Sequence, residues 1–300
     1  MVTDIAALGT SPNADPLVQT ILERGLERHI IELDAYGFTV IPPEKMGTSP
    51  GFAERLRDAL LHTYSERHDA PIDDFRSSDL PKGNRKSWDL IEEDDAVVEA
   101  ATNPVVLTMA RWLCGQSAIL GGTSSIIKPR TDEGDNRLNL HNDTHGVPSP
   151  LTQYAHLANL SWVLTDYETP EDGPTVFVPG SHRFGRLPQP HETEFWREDS
   201  HYEVVPIQAK AGSLVVWHGN TWHGAMGRTS AGLRVTLVLV WMRSYMKPIN
   251  TWDGVSPDLI ERYPELTRIL GLEHPYPHTE SGKGYELVRP FMAAGLDQFA

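Results

Sequence analysis

From residue 118 onward the chain is a succession of short apolar runs, 118–127, 137–143, 157–164, 175–178, 214–217 and 233–241, each cut off by glycine, proline or acidic residues. Runs of this length bounded by turn-forming residues read as β-strands, and a series of them predicts a sandwich, jelly roll or barrel. The first hundred residues follow a different period. Ile21, Leu22, Leu26, Ile30, Ile31 and Leu33 recur at helical spacing, FAERLRDALLHTY at 52–64 is a second amphipathic helix, and 103–113 is a third with Pro104 suited to its first turn. Between the first two, Tyr36-Gly37-Phe38-Thr39-Val40-Ile41-Pro42 reads as a turn and a strand stopped by proline. One more helical pattern covers 256–272. The expected fold is mostly β (α+β), in one domain over 1–300. Its parts are a disordered start (1–16), a helical part (17–115), the β core (116–245) and an extension (246–300).

Charge limits the partners. A net charge of -15 and a pI near 5.3 argue against nucleic acid or an anionic membrane surface, both of which attract basic patches. The one basic cluster, Lys82-Gly83-Asn84-Arg85-Lys86, reads either as a solvated loop or as an anion site. Cys114 is the sole cysteine, which excludes an intramolecular disulfide and a thiolate metal cluster. The N-terminal residues lack a basic start followed by an apolar run, so the expected location is cytoplasmic, with a small molecule as partner.

Chemistry enters with Leu140-His141-Asn142-Asp143-Thr144-His145. Side chains alternate along a strand, so His141 and Asp143 would point the same way. Two such ligands joined by a second, distant histidine form the two-histidine, one-carboxylate triad of non-haem Fe(II), which leaves one face of the octahedron open. Both His218 and His223 precede a glycine at the end of one apolar strand, and either is a candidate for that histidine.

Further along, Gly173-Pro174-Thr175-Val176-Phe177-Val178-Pro179-Gly180-Ser181-His182 is followed by Trp222-His223-Gly224 and, eleven positions after His223, by Arg234. With the His141-x-Asp143 pair, this combination resembles the phytanoyl-CoA dioxygenase family of Fe(II)- and 2-oxoglutarate-dependent oxygenases, over about residues 37–272. The resemblance implies a double-stranded β-helix (jelly roll, cupin-like) core with flanking helices. It implies His141, Asp143 and His223 as iron ligands, Arg234 as the anchor of the distal carboxylate of 2-oxoglutarate, and O2 as cosubstrate. The implied reaction is oxidation, most simply hydroxylation, of a small metabolite with release of succinate and CO2. Family members that halogenate replace the carboxylate ligand with a small residue, which Asp143 is not.

Physical reasoning supports the arginine independently. A guanidinium in the apolar run LRVTLVLVW is costly unless paired, and its planar fork fits a carboxylate. Asn139, Thr175 and Thr236 are polar residues in apolar runs and are further candidates for cosubstrate contact. The position two residues after His223, where the family often has serine, is Ala225. His145, Trp162 and His218 are candidates for the substrate pocket, and His182 belongs to a structural turn. The polar stretches 71–86 and 188–202 are expected to border the open side of the metal as a movable cover. Two other readings of the same residues are a cupin-like metalloenzyme acting without 2-oxoglutarate and a non-catalytic jelly-roll binding protein.

Overall fold

The structure is a computed structural model that describes residues 14–77, 80, 85–132, 135–272 and 299. The expected disorder of residues 1–13, the end of the chain and residues 82–84 of the basic cluster lie outside these. Residues 14–16 are helical, contrary to expectation.

Two helices stand where the periodicity of 17–33 predicts one: α1 (Ala14–Glu23) and α2 (Glu27–Tyr36). The break is at Gly25, whose φ of 63° lies in the left-handed region that side chains other than glycine avoid. Strand β1 (Phe38–Ile41), the single turn α3 (Pro43–Met46) and α4 (Phe52–His68) follow. Then come β2 (Arg85–Trp88), α5 (Asp95–Thr102) and α6 (Pro104–Cys114). The sequence reading missed α5, although Asp94 caps it by accepting from the Ala96 N–H. Asn103 caps α6 by accepting from the N–H groups of Val105 and Val106, with Pro104 in the first turn.

The remaining strands are β3 (Ile119–Lys128), β4 (Leu138–His141), β5 (Leu157–Val163), β6 (Thr175–Phe177), β7 (Val205–Pro206), β8 (Leu214–His218), β9 (His223–Ala225) and β10 (Arg234–Met242). Two short helices, α7 (Pro257–Arg262) and α8 (Leu266–Ile269), end the described chain, where one helical pattern was expected. All pairings are antiparallel, and they form two sheets: β1-β8-β5-β10-β3-β2 and β4-β9-β6-β7. The first part of the chain is thus not purely helical, since both edges of the larger sheet, β1 and β2, come from it.

Alternation along β10 sorts the interior. Val235, Leu237, Leu239 and Trp241 face the helices and pack with Phe52, Leu56, Val106 and Met109 in the main core. Arg234, Thr236, Val238 and Val240 face the other way, between the sheets. Burial of each large apolar side chain in that main core contributes roughly 1.5–3 kcal/mol. The polar and charged residues on the opposite face require another explanation. Among the described residues, no helix is long and apolar enough to cross a membrane.

Candidate metal centre

The smaller sheet brings two distant histidines together. In the β4–β9 ladder His141 stands opposite His223. The strands approach so closely at Gly224 that an added Cβ would lie 2.4 Å from the Leu138 carbonyl oxygen, which explains why glycine follows His223. Asp143 reaches the same point by another route. The strand ends at His141, so Asp143 sits in a bend beyond it rather than on the strand face, held by its N–H to the Gly219 carbonyl at 2.9 Å. One ligand atom from each of His141, Asp143 and His223 can be chosen so that all lie within 4.8 Å of one another.

Hydrogen bonds set the chemical form of both imidazoles. Nδ1 of His141 lies 2.9 Å from the Asn139 carbonyl, and Nδ1 of His223 lies 3.0 Å from that of Thr221. A carbonyl only accepts, so each Nδ1 carries the proton and each Nε2 lone pair is left for a metal. These Nε2 atoms lie 3.6 Å (His141) and 3.3 Å (His223) from the Asp143 carboxylate. Burial lowers the pKa of His223 to about 4 despite the attraction of Asp143, which keeps the ring neutral near pH 7. Asp143 is itself held: Asn159 Nδ2 and Trp217 Nε1 both donate to its Oδ2, the latter at 3.1 Å. The donor set suits Fe(II).

Deeper between the sheets, Arg234 is buried. One guanidinium nitrogen donates to the Gly173 carbonyl, the Tyr167 ring lies beneath at 5.3 Å, and Nε has no partner. Opposite it in the β3–β10 ladder is Lys128, fully buried, whose ammonium donates to the Met226 carbonyl. Burial, with Arg234 and Arg228 nearby, lowers the Lys128 pKa to about 6. Arg228 has Asp172 at 3.6 Å, but neither Lys128 nor Arg234 has an acidic partner among the described residues. A buried guanidinium with an orphaned donor and a buried amine that takes up a proton beside a negative charge, neither with a carboxylate partner among the described residues, form a receptor for an anion. The sequence reading missed Lys128, Asn159 and Trp217. The signal for Lys128, a lysine closing the apolar run Ser-Ser-Ile-Ile-Lys, was visible.

Among the other candidates, Thr236 lies beside Arg234 on the inner face, its hydroxyl 3.4 Å from the Ile126 carbonyl. Thr175 is half-buried opposite Ala225, two residues along from His223. Asn139 is exposed and turns its amide toward Thr193 at 3.5 Å. His145 is exposed near the end of the metal loop.

Two candidates lie elsewhere. Trp162 points from β5 into the helix-side core, where its indole donates to the Ala100 carbonyl and meets Phe52 edge-on, so it does not line a pocket between the sheets. His218 is consumed by structure: Nδ1 accepts from the Asn220 N–H at 3.0 Å and Nε2 donates to the Gln153 carbonyl at 3.2 Å. It has no lone pair to spare. His182 is likewise buried, against the Asp34 carbonyl.

Residues 188–202 run beside the site, with the Leu140 N–H donating to the Thr193 carbonyl at 2.8 Å. They are stapled rather than loose. Arg186 grips Glu192 through two bonds of 2.7 and 2.9 Å, the Tyr202 hydroxyl donates to the same carboxylate at 2.8 Å, and Glu192 is held at a pKa of about 2.

Comparison with known proteins places the chain in a family. Residues 33–236 match the family model described as phytanoyl-CoA dioxygenase (PhyH). The chain is 29% identical over 178 residues to dioxygenase af480 of Aspergillus fumigatus, covering 57% of this chain and 53% of that protein. It is 30% identical over 145 residues to the uncharacterized protein Rv1501 of Mycobacterium tuberculosis, covering 48% and 50%. The chain thus spans about half the length of the curated relatives it matches. Similar folds include HygX from Streptomyces hygroscopicus with nickel and 2-oxoglutarate bound (TM-score 0.58, 18% identity, 77% of this chain and 92% of that one). They also include the epimerase SnoN in complex with Fe3+, alpha ketoglutarate and nogalamycin RO (0.55, 20%, 79% and 93%). On the family match, which covers more than half of its length, the chain belongs to the phytanoyl-CoA dioxygenase (PhyH) family.

Proposed function

We propose that the protein is an Fe(II)- and 2-oxoglutarate-dependent dioxygenase that oxidises, most simply by hydroxylation, a small organic metabolite and releases succinate and CO2. The observation that carries this reading is the pair Arg234 and Lys128, buried without carboxylate partners among the described residues and facing the same inter-sheet space as the His141–Asp143–His223 triad. A cupin-like enzyme without 2-oxoglutarate, or a binding protein with incidental histidines, leaves that pair unexplained. Support for a small-molecule substrate comes from similar folds, since HygX has been captured with hygromycin B and SnoN with nogalamycin RO.

His141, Asp143 and His223 would hold the iron, and Arg234 and Lys128 the distal carboxylate of 2-oxoglutarate. Bound Fe(II), 2-oxoglutarate and O2 supply oxidation of a C–H bond coupled to decarboxylation of the 2-oxo acid. The chain contributes position. Backbone carbonyls orient both imidazoles, and Asn159 and Trp217 fix the carboxylate.

The test is 2-oxoglutarate-dependent succinate formation by the iron-loaded protein, with Asp143→Ala and Arg234→Lys as variants. Asp143→Ala should abolish it. Arg234→Lys should raise the 2-oxoglutarate concentration needed by an amount equivalent to roughly 1.5–3 kcal/mol, because lysine keeps the charge and loses the fork. Unchanged cosubstrate dependence in a folded Arg234→Lys protein would contradict the assignment.

A further inference from the structure

The two sides of the sandwich differ. On one, Phe38 of β1 stacks on Phe177 of β6 with ring centroids 4.3 Å apart, and Phe177 in turn lies beside His223. At their other ends the two sheets finish in the edge strands β2 and β4. On β4, the side chain of His141 is 38% exposed. On β2, Ser87 is buried against the helix side, while Lys86 and Trp88 share the inner face and are exposed, Trp88 at 40%. Further in, Trp88 pairs with the buried Ser124 and Ser124 with the half-buried Val238, in the row next to the one holding Asn159.

An exposed tryptophan on an edge strand is a liability, because edge strands recruit other edges and avoid large apolar side chains. The indole of Trp88 has no aromatic or cationic partner among the described residues, whereas the other strongly exposed tryptophan, Trp196, has the Arg137 guanidinium 5.5 Å from its ring centre. Lys86 has no acidic partner among the described residues, in a chain with a net charge of -15. A flat apolar surface and a cation without an acidic partner among the described residues therefore stand side by side on the inner face of β2, the face that carries Thr236 and Arg234 on β10. Two strand spacings, about 10 Å, separate Trp88 from Val238, which is the reach of a two-ring molecule.

We propose that this edge is the substrate-recognition surface and that the substrate class is a planar, unsaturated ring carrying a carboxylate. The ring stacks on Trp88 and the carboxylate pairs with Lys86, while the far end of the molecule points toward the triad. The proposal rests on the oxygenase reading for what happens at the metal but not for the binding itself.

The test uses 2-naphthoate as probe and naphthalene-2-methanol as its uncharged counterpart. Binding is measured by calorimetry to the full chain loaded with Ni(II) and saturating 2-oxoglutarate, which occupies Arg234 and Lys128. Trp88→Ala should weaken both probes by about five- to tenfold, and Trp88→Phe should restore most of the loss. Lys86→Ala should weaken 2-naphthoate several-fold and leave the alcohol unchanged. No binding of 2-naphthoate, binding insensitive to both substitutions, or binding that merely competes with 2-oxoglutarate would each overturn the proposal. Should Ni(II) and 2-oxoglutarate themselves fail to bind, the oxygenase reading falls, and the variants' effect on 2-naphthoate binding alone still decides this one.

Discussion

Asn159 and Trp217 stand opposite each other in the β5–β8 ladder, and both donate to the same oxygen of Asp143. The larger sheet thus fixes the ligand that the smaller sheet's loop supplies, and Oδ1 is left for the metal. Loss of such outer hydrogen bonds typically costs 10–100-fold in metal affinity. Asn159→Ala and Trp217→Phe should each weaken Co(II) binding by roughly that factor with little change in overall fold. Affinities equal to the parent protein's would show that the clamp is incidental.

Lys128 makes cosubstrate binding depend on pH. Its folded pKa of about 6 lies far below the 10.5 of a free lysine side chain, so above pH 6 the Lys128 amine of the empty site is mostly uncharged. A bound carboxylate favours the charged ammonium, and binding must take up a proton. Between pH 6 and 8, affinity for 2-oxoglutarate should therefore fall with rising pH, by up to about tenfold per unit. In Lys128→Met the dependence should flatten. Calorimetry in buffers of different ionisation enthalpy measures the proton directly, and no uptake near pH 7.5 would contradict this assignment.

His218 should affect stability and not the metal. His218→Ala removes the acceptor for the Asn220 N–H and the donor to the Gln153 carbonyl, costing about 1–3 kcal/mol. Metal stoichiometry should stay at one per chain. Burial depresses the folded pKa of His218 to about 3 and that of His223 to about 4, against 6.5 for the free side chain. The unfolded chain therefore binds more protons below pH 6.5, and stability of the metal-free protein should fall as pH drops from 6.5 toward 3. A His218→Ala protein that denatures at the parent's temperature would refute the structural role.

The staple on residues 188–202 tests the cover. Glu192→Gln weakens the grip of Arg186 and Tyr202 on the segment that borders β4. Decarboxylation of 2-oxoglutarate without substrate oxidation should rise several-fold. Unchanged coupling in a folded variant would remove this segment from the site.

Much of this was legible in the sequence for identifiable reasons. Strand runs bounded by glycine and proline pointed to the sheets, and the His141-x-Asp143 pair with the family resemblance pointed to the residues that converge, His141, Asp143 and His223. Trp162 was misplaced because β5 is buried on both faces, helices covering one and the second sheet the other, so its apolar run has no alternation to read. The helix at 17–33 was over-extended because helical period continues through Gly25, where only the backbone turns. Asn159 and Trp217 looked like ordinary strand residues, since their partner Asp143 is remote in sequence. Lys128 was passed over because its meaning depends on Arg234 standing opposite.

The central claim is one iron and one 2-oxoglutarate held by His141, Asp143, His223 and Arg234. Anaerobic titration of the metal-free protein with Fe(II) in the presence of 2-oxoglutarate tests it most directly, through the visible charge-transfer band of a 2-oxo acid chelated to iron. The band should saturate at one Fe(II) per chain, vanish in His223→Ala and persist in His218→Ala. A band that survives in His223→Ala but disappears in His218→Ala would contradict the proposed centre.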